Sequence, residues 1–422
     1  MDSLIKRLKG NKTLINGGLF SLYSFMGKGI SFLLLMLLAN YIPPAEYGNL
    51  SLFNTIVTFV TIFMALNTEG YFSISYFKKP KNEFKRDFTT IYILGICTLL
   101  FFLIVIFVGG HYVSENLGLS PLLLFIAVFI SFFTFSFNIQ QNYFRVQENV
   151  VKYGYYNVGN AILNFSLSLL FVITFCQGWL GRVYAQLSCA LVLGILSIIT
   201  FVKNRLFVFE IKKCRCKEIL QWGVPMIPHH ATSWIRQGID RYIINYHYSI
   251  YQVGVFSFAL NVSNIIEMIG MAFNATNSVS LYKTLSNKSL DAAQKWEVLK
   301  KQTRNIGIIY IVGAICTVIS MSLITYFLLP KYRESIPYFL ILCVAGFLKC
   351  IYFLYCNYLF YYSRTKQLMY ITFATSIMHL ILSLIITRFS LMYTAIIYVF
   401  VQGTITLLVY LKSMKVLKNS IC

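Results

Sequence analysis

Seven ionisable side chains stand inside long hydrophobic runs of this chain: Lys28, Glu69, Arg236, Asp240, Arg241, Glu267 and Lys349. A charge at the depth of a bilayer costs roughly 2.5–3.5 kcal/mol on insertion scales, so helix packing alone rarely justifies it. Two kinds of chemistry would. A cation there can neutralise an anionic ligand, and a buried carboxylate can exchange a proton or ion. Lys28, Arg236 and Lys349 are the candidate cations for substrate. Glu69, Asp240 and Glu267 are the candidate sites of ion coupling. Arg236 and Asp240 stand four residues apart, so a structural pair along one helix face competes with a functional reading. Lys28 and Lys349 have no carboxylate one turn away, which makes them the stronger candidates for an anion. Arg241 lies about 100° round from the Arg236–Asp240 stripe. It either snorkels outward or pairs with another helix.

Uncharged polar residues recur at helical spacing beside these charges. Candidate lining residues are Asn54, Asn138, Asn164, His229, Trp234, Arg241, Asn274 and His379. The plainer reading of a Ser, Thr or Asn stripe is close helix packing with interhelical hydrogen bonds. His229 and His230 are adjacent and point to different faces, so they make a poor metal pair. His379 reads as a hydrogen-bonded lining residue rather than a proton relay. Cys214 and Cys216 lack a second pair or flanking His at zinc spacing, and most of the ten cysteines sit in apolar runs as small hydrophobes. No metal and no cofactor are expected. Walker A, Gly-x-Ser-x-Gly and His-Glu-x-x-His patterns are missing, so no catalytic residues are assigned and a transporter is expected rather than an enzyme.

The elements that must position these side chains are transmembrane helices. The 422 residues are 58% hydrophobic and 12% charged, against roughly 25% charged in soluble domains. Apolar stretches of about 20 residues, enough to cross the hydrocarbon core, recur along the whole length. Runs such as 99–108 do not alternate, which argues against a β-barrel. The expected architecture is all-α, with about twelve spans near 14–41, 49–77, 88–109, 121–143, 156–176, 182–202, 221–245, 252–281, 304–329, 336–360, 369–387 and 391–411. The first is expected to be helix 1 and not a cleavable signal peptide.

Net charge is +22, and 28 of the 36 Lys and Arg fall in alternate loops starting with the N-terminus. That distribution predicts both termini in the cytoplasm. The basic excess then reads as topology and contact with anionic lipid, not nucleic-acid binding. The basic loop 203–220 divides the spans into six and six. A shift of 206 residues matches Gly48 with Gly254 and Ser51 with Ser257; a shift of 219 matches Asn138, Tyr143 and Arg145 with Asn357, Tyr362 and Arg364. Two six-helix lobes are expected, 1–205 and 206–422, with a central cavity between parallel repeats.

The stretch Gly223-Val-Pro225-Met-Ile-Pro228, followed by Trp234 and Asp240-Arg241, resembles the seventh helix of bacterial O-antigen and capsule (Wzx-type) polysaccharide-repeat flippases. Pro43-x-x-Glu46-Tyr47-Gly48 resembles their first outer loop, and Val253-Gly254-Val-Phe-Ser257 their next helix start. The resemblance implies the multidrug/oligosaccharidyl-lipid/polysaccharide exporter superfamily. It also implies alternating access in the bacterial inner membrane, moving undecaprenyl-diphosphate-linked oligosaccharide to the periplasmic leaflet. Other polysaccharide assembly proteins and membrane lipid would be its partners, and a monomer is expected. Driving forces open at this point are the membrane potential and ion antiport. The alternative function is a cation-coupled small-molecule or multidrug antiporter of the same superfamily. Four buried basic groups against three acidic ones lean toward an anionic substrate.

Overall fold

A computed structural model describes residues 12–421 apart from Ile211 and Lys288. The expected spans appear as α1 (Lys12–Tyr41), α2 (Pro44–Phe63), α3 (Glu69–Lys78), α4 (Lys81–Leu117), α5 (Pro121–Val146), α6 (Val150–Leu169) and α7 (Gly178–Lys203). They continue as α8 (Lys213–Gly223), α9 (Ile227–Gln237), α10 (Ile239–His247), α11 (Ile250–Ser286), α12 (Ala292–Leu328), α13 (Ile336–Tyr361), α14 (Thr365–Ile386) and α15 (Leu391–Ile421). Eleven helices among the described residues are long and apolar enough to cross a membrane. All-α membrane architecture is therefore observed.

The remaining expected span, 221–245, is not one helix. It is α8, a single 3₁₀ turn at Val224–Met226, α9 and α10. Pro225 and Pro228 remove backbone donors here, and Gly238 separates α9 from α10. The second span breaks as well, between α2 and α3. Ala65, Leu66 and Asn67 have φ of 51°, 50° and 58°, a left-handed conformation that residues with a Cβ rarely adopt.

Local chemistry accounts for several helix ends. Pro121 occupies the first turn of α5, where its missing N–H costs nothing. Asn149, Ser249 and Asp291 cap α6, α11 and α12 by accepting from the backbone N–H groups of Lys152, Gln252 and Gln294. Gly118, at φ 66°, ends α4 in the left-handed region that glycine tolerates.

The chain forms two compact units. Unit 1 comprises Met1–Ile42 and Leu52–Ala231; unit 2 comprises Pro43–Ser51 and Thr232–Cys422. The core of unit 1 is aromatic. Phe72, Phe88, Phe135 and Phe201 are fully buried and pack with Tyr92, Phe84 and Tyr143. Unit 2 has an aliphatic core of Leu359, Leu368, Ile397, Val401, Ile405 and Val409 on α13, α14 and α15. In unit 2 the start of α2 crosses α11. A Cβ on Gly48 would strike the Ile250 carbonyl, and one on Gly254 would strike that of Pro44. Ser51 Oγ donates to Ser257 Oγ at 2.8 Å. The residues that a 206-residue shift matches thus touch one another.

Candidate functional site

The richest set of buried charges lies in unit 2, where α9, α10, α11, α13, α14 and α15 each contribute. Lys349 Nζ on α13 donates to Glu267 Oε2 on α11 at 2.6 Å. Both side chains are largely withdrawn from solvent, at 20% and 14% exposure. Lys349 therefore has a carboxylate partner after all, supplied by a different helix. Farther along α11 and α13, Asn357 Nδ2 donates to Asn274 Oδ1 at 2.8 Å.

Arg236 and Asp240, read along the sequence as a possible i,i+4 pair, go to other partners. The break at Gly238 lies between them. Arg236 Nη1 donates to Ser376 Oγ on α14 at 3.2 Å. Asp240 is 2% exposed. Its two oxygens lie 3.1 and 3.0 Å from His379 Nε2, also on α14. Arg241 turns toward another helix rather than the interface: its Nε donates to Ser257 Oγ at 3.1 Å, and its Nη1 to the Gln237 carbonyl at 2.6 Å.

Tyr398 of α15 joins these pairs, and sequence reasoning missed it. Its phenol accompanies Gln237 in a hydrogen bond and lies within electrostatic range of Arg236, Asp240 and Glu267. Its ring meets that of His379 edge-on, with centroids 5.9 Å apart. The signal was present but weak, since Tyr398 is one of 30 tyrosines in the chain. Arrayed together are three cations, Arg236, Arg241 and Lys349, and two carboxylates, Asp240 and Glu267. A network of this sign, held inside apolar helices, can accept an anion without first stripping every cation of its partner.

The other candidates belong to unit 1. Lys28 is exposed on α1. Glu69 begins α3 just after the left-handed break and shares a hydrogen bond with Asn138 of α5. A carboxylate suits that position, at a helix N-terminus. Asn54 is half-buried on α2. Asn164 Oδ1 accepts from Arg182 Nη1 at 2.5 Å, and Ser168 Oγ bonds the same nitrogen at 2.9 Å. Arg182 of α7 is thereby turned onto α6. Trp234 is half-buried on α9 in unit 2. His229 also lies on α9, but its side chain is outside the described residues.

Unit 1 carries a second charged assembly at the basic-loop end of its helices. Asp87 is fully buried and accepts from Ser75 Oγ at 2.6 Å. Lys79 Nζ and Arg215 Nε each lie 3.0 Å from its carboxylate. Arg215 also reaches Glu83 at 2.6 Å. Tyr71 donates to Glu218 at 2.6 Å and holds that carboxyl below the usual range, helped by Lys79 and Arg215. These bonds tie α8 to α3 and α4. Beside them, Gly223 packs on the Leu66 carbonyl and Gly70 under the Trp222 indole.

The model of a family described as polysaccharide biosynthesis protein matches residues 14–279. A protein of Haemophilus influenzae described as an uncharacterized membrane protein is 23% identical over 361 residues, covering 84% of this chain and 85% of the relative. A protein of the Lsg locus of the same organism is 23% identical over 352 residues, covering 80% and 82%. Among solved structures, the inward-facing conformation of a multidrug resistance MATE family transporter of the MOP superfamily aligns with a TM-score of 0.70. That alignment covers 96% of this chain and 95% of the other at 13% identity. The likeness is one of fold.

Proposed function

Because the chain belongs to the polysaccharide biosynthesis protein family, we propose that it is a flippase for a lipid-linked oligosaccharide. Its substrate is an undecaprenyl-diphosphate-linked repeat unit, moved by alternating access from the cytoplasmic to the periplasmic leaflet of a bacterial inner membrane. The observation that carries this reading is the charge set of unit 2. Lys349, Arg236 and Arg241 outnumber Glu267 and Asp240 inside apolar helices, and each is held on another helix or on backbone. A diphosphate needs such a cluster, whereas a drug cation needs a surplus of carboxylates. Lys28 of α1 adds a further cation to the proposed path. Asparagines 54, 138, 164 and 274 and Trp234 have the hydrogen-bonding and stacking chemistry that sugars use. The alternate-loop distribution of Lys and Arg supports cytoplasmic termini.

The test is Lys28→Ala/Lys349→Ala, carried with Glu267→Gln so that no buried carboxylate loses its cation. We expect surface polysaccharide to be lost while the protein reaches the membrane in normal amount. Wild-type polymer levels in that variant would overturn the assignment.

A further inference from the structure

Asp240 and His379 are the two most deeply buried ionisable partners of the unit 2 cluster. His379 is fully buried and Asp240 is 2% exposed. At 3.0–3.1 Å, His379 Nε2 and the Asp240 oxygens would face each other with bare lone pairs unless a proton lay between them. The pair therefore holds at least one proton. The other imidazole nitrogen, Nδ1, is buried and has no hydrogen-bond partner among the described residues. It is the atom where one more proton can enter. Ser383 Oγ, at 3.4 Å from Nε2, lies on the side already occupied.

We propose that Asp240–His379 is an exchangeable proton site, carrying one proton or two, that sets the net charge of the unit 2 cluster. With one proton the pair is an aspartate beside a neutral imidazole and contributes −1. With two it contributes zero. The charged groups arranged around it are Arg236 on α9, Arg241 on α10, Glu267 on α11 and Lys349 on α13. Tyr242 on α10, Tyr352 on α13 and Tyr398 on α15 face the same cluster with phenols. Summed over these groups and the pair, the cluster is +1 in the first state and +2 in the second. The second state also leaves Asp240 fully engaged with an imidazolium, so it does not compete for the cations of the cluster. Proton uptake and anion binding therefore favour one another, and by linkage each strengthens the other equally. The first part of this inference stands on the pair alone; the effect on anion affinity rests on the proposed function.

The experiment has two arms on the purified full-length protein in detergent. In the first, ¹⁵N-histidine labelling follows the imidazoles from pH 5 to 9 without substrate, with His379→Gln assigning the signal among the five histidines. A His379 signal that titrates in this window and moves in Asp240→Asn supports the site; a His379 signal that stays constant across it overturns the site. In the second, binding of undecaprenyl diphosphate is measured over the same range. Affinity should weaken on raising the pH through the His379 titration, within the roughly 5- to 150-fold span typical of coupled sites. In His379→Gln the profile should flatten. An unchanged profile in that variant overturns the coupling. Titration without any binding of undecaprenyl diphosphate supports the proton site and overturns the substrate assignment instead.

Discussion

Lys349 and Glu267 show what a buried pair requires. Neither charge could stay at this depth alone, and each is the other's compensation at 2.6 Å. Removing one partner of a buried pair typically costs about 3–5 kcal/mol, whereas removing both is often close to neutral. Lys349→Ala should therefore lower the thermal midpoint in detergent markedly, and adding Glu267→Gln should restore most of it. Equal midpoints for the single and double variants would show that Glu267 does not need Lys349 as its compensation. The same pair marks the limit of reading charges along a chain. Lys349 was recognisable as buried because its neighbours are apolar, but its partner lies 82 residues away. The one-turn rule sees only i,i+3 and i,i+4 neighbours. It suggested Arg236–Asp240, which the break at Gly238 separates, and it could not suggest Asp240–His379 across 139 residues.

Among the helices, the long apolar spans were readable almost one for one, since hydropathy and length are what a bilayer selects. The breaks were harder. Pro225, Pro228 and Gly238 announce the interruption of 221–245. Ala65 and Leu66 announce nothing, and the Leu66 carbonyl packs against Gly223. The clamp that joins α8 to α3 and α4 secures that packing. Asp87 is its buried centre, so Asp87→Ala, which leaves Arg215 with Glu83 alone and takes the acceptor from buried Ser75, should destabilise by about 1–3 kcal/mol. Glu218 is half-exposed, at 54%, and such pairs are typically worth under about 1 kcal/mol. Its lowered folded pKa contributes stability above the ordinary glutamate range, and that stability is lost as pH falls through the folded value. Glu218→Gln should accordingly lower the melting temperature slightly at pH 7 and not at all in strong acid. A larger loss for Glu218→Gln than for Asp87→Ala in pH 7 melts would reverse this ranking.

For the whole molecule, the question is what drives net movement. Within the proposed function, the cargo carries the negative charge of a diphosphate outward. An inside-negative potential favours that by about 2.3 kcal/mol per charge per 100 mV, and a potential of that size is enough to bias a carrier strongly without nucleotide hydrolysis. A proton bound at Asp240–His379 during loading would travel with the anion, so an acidic exterior would oppose export rather than drive it. The two gradients can be separated in cells or in vesicles loaded with lipid-linked substrate. Valinomycin with potassium, which collapses the potential, should stop flipping. Nigericin, which collapses the pH gradient and spares the potential, should leave the rate unchanged or raise it. Loss of flipping under nigericin alone would mean that protons moving inward supply the energy, and the potential-driven scheme would have to be abandoned for antiport through Glu69 or the unit 2 carboxylates.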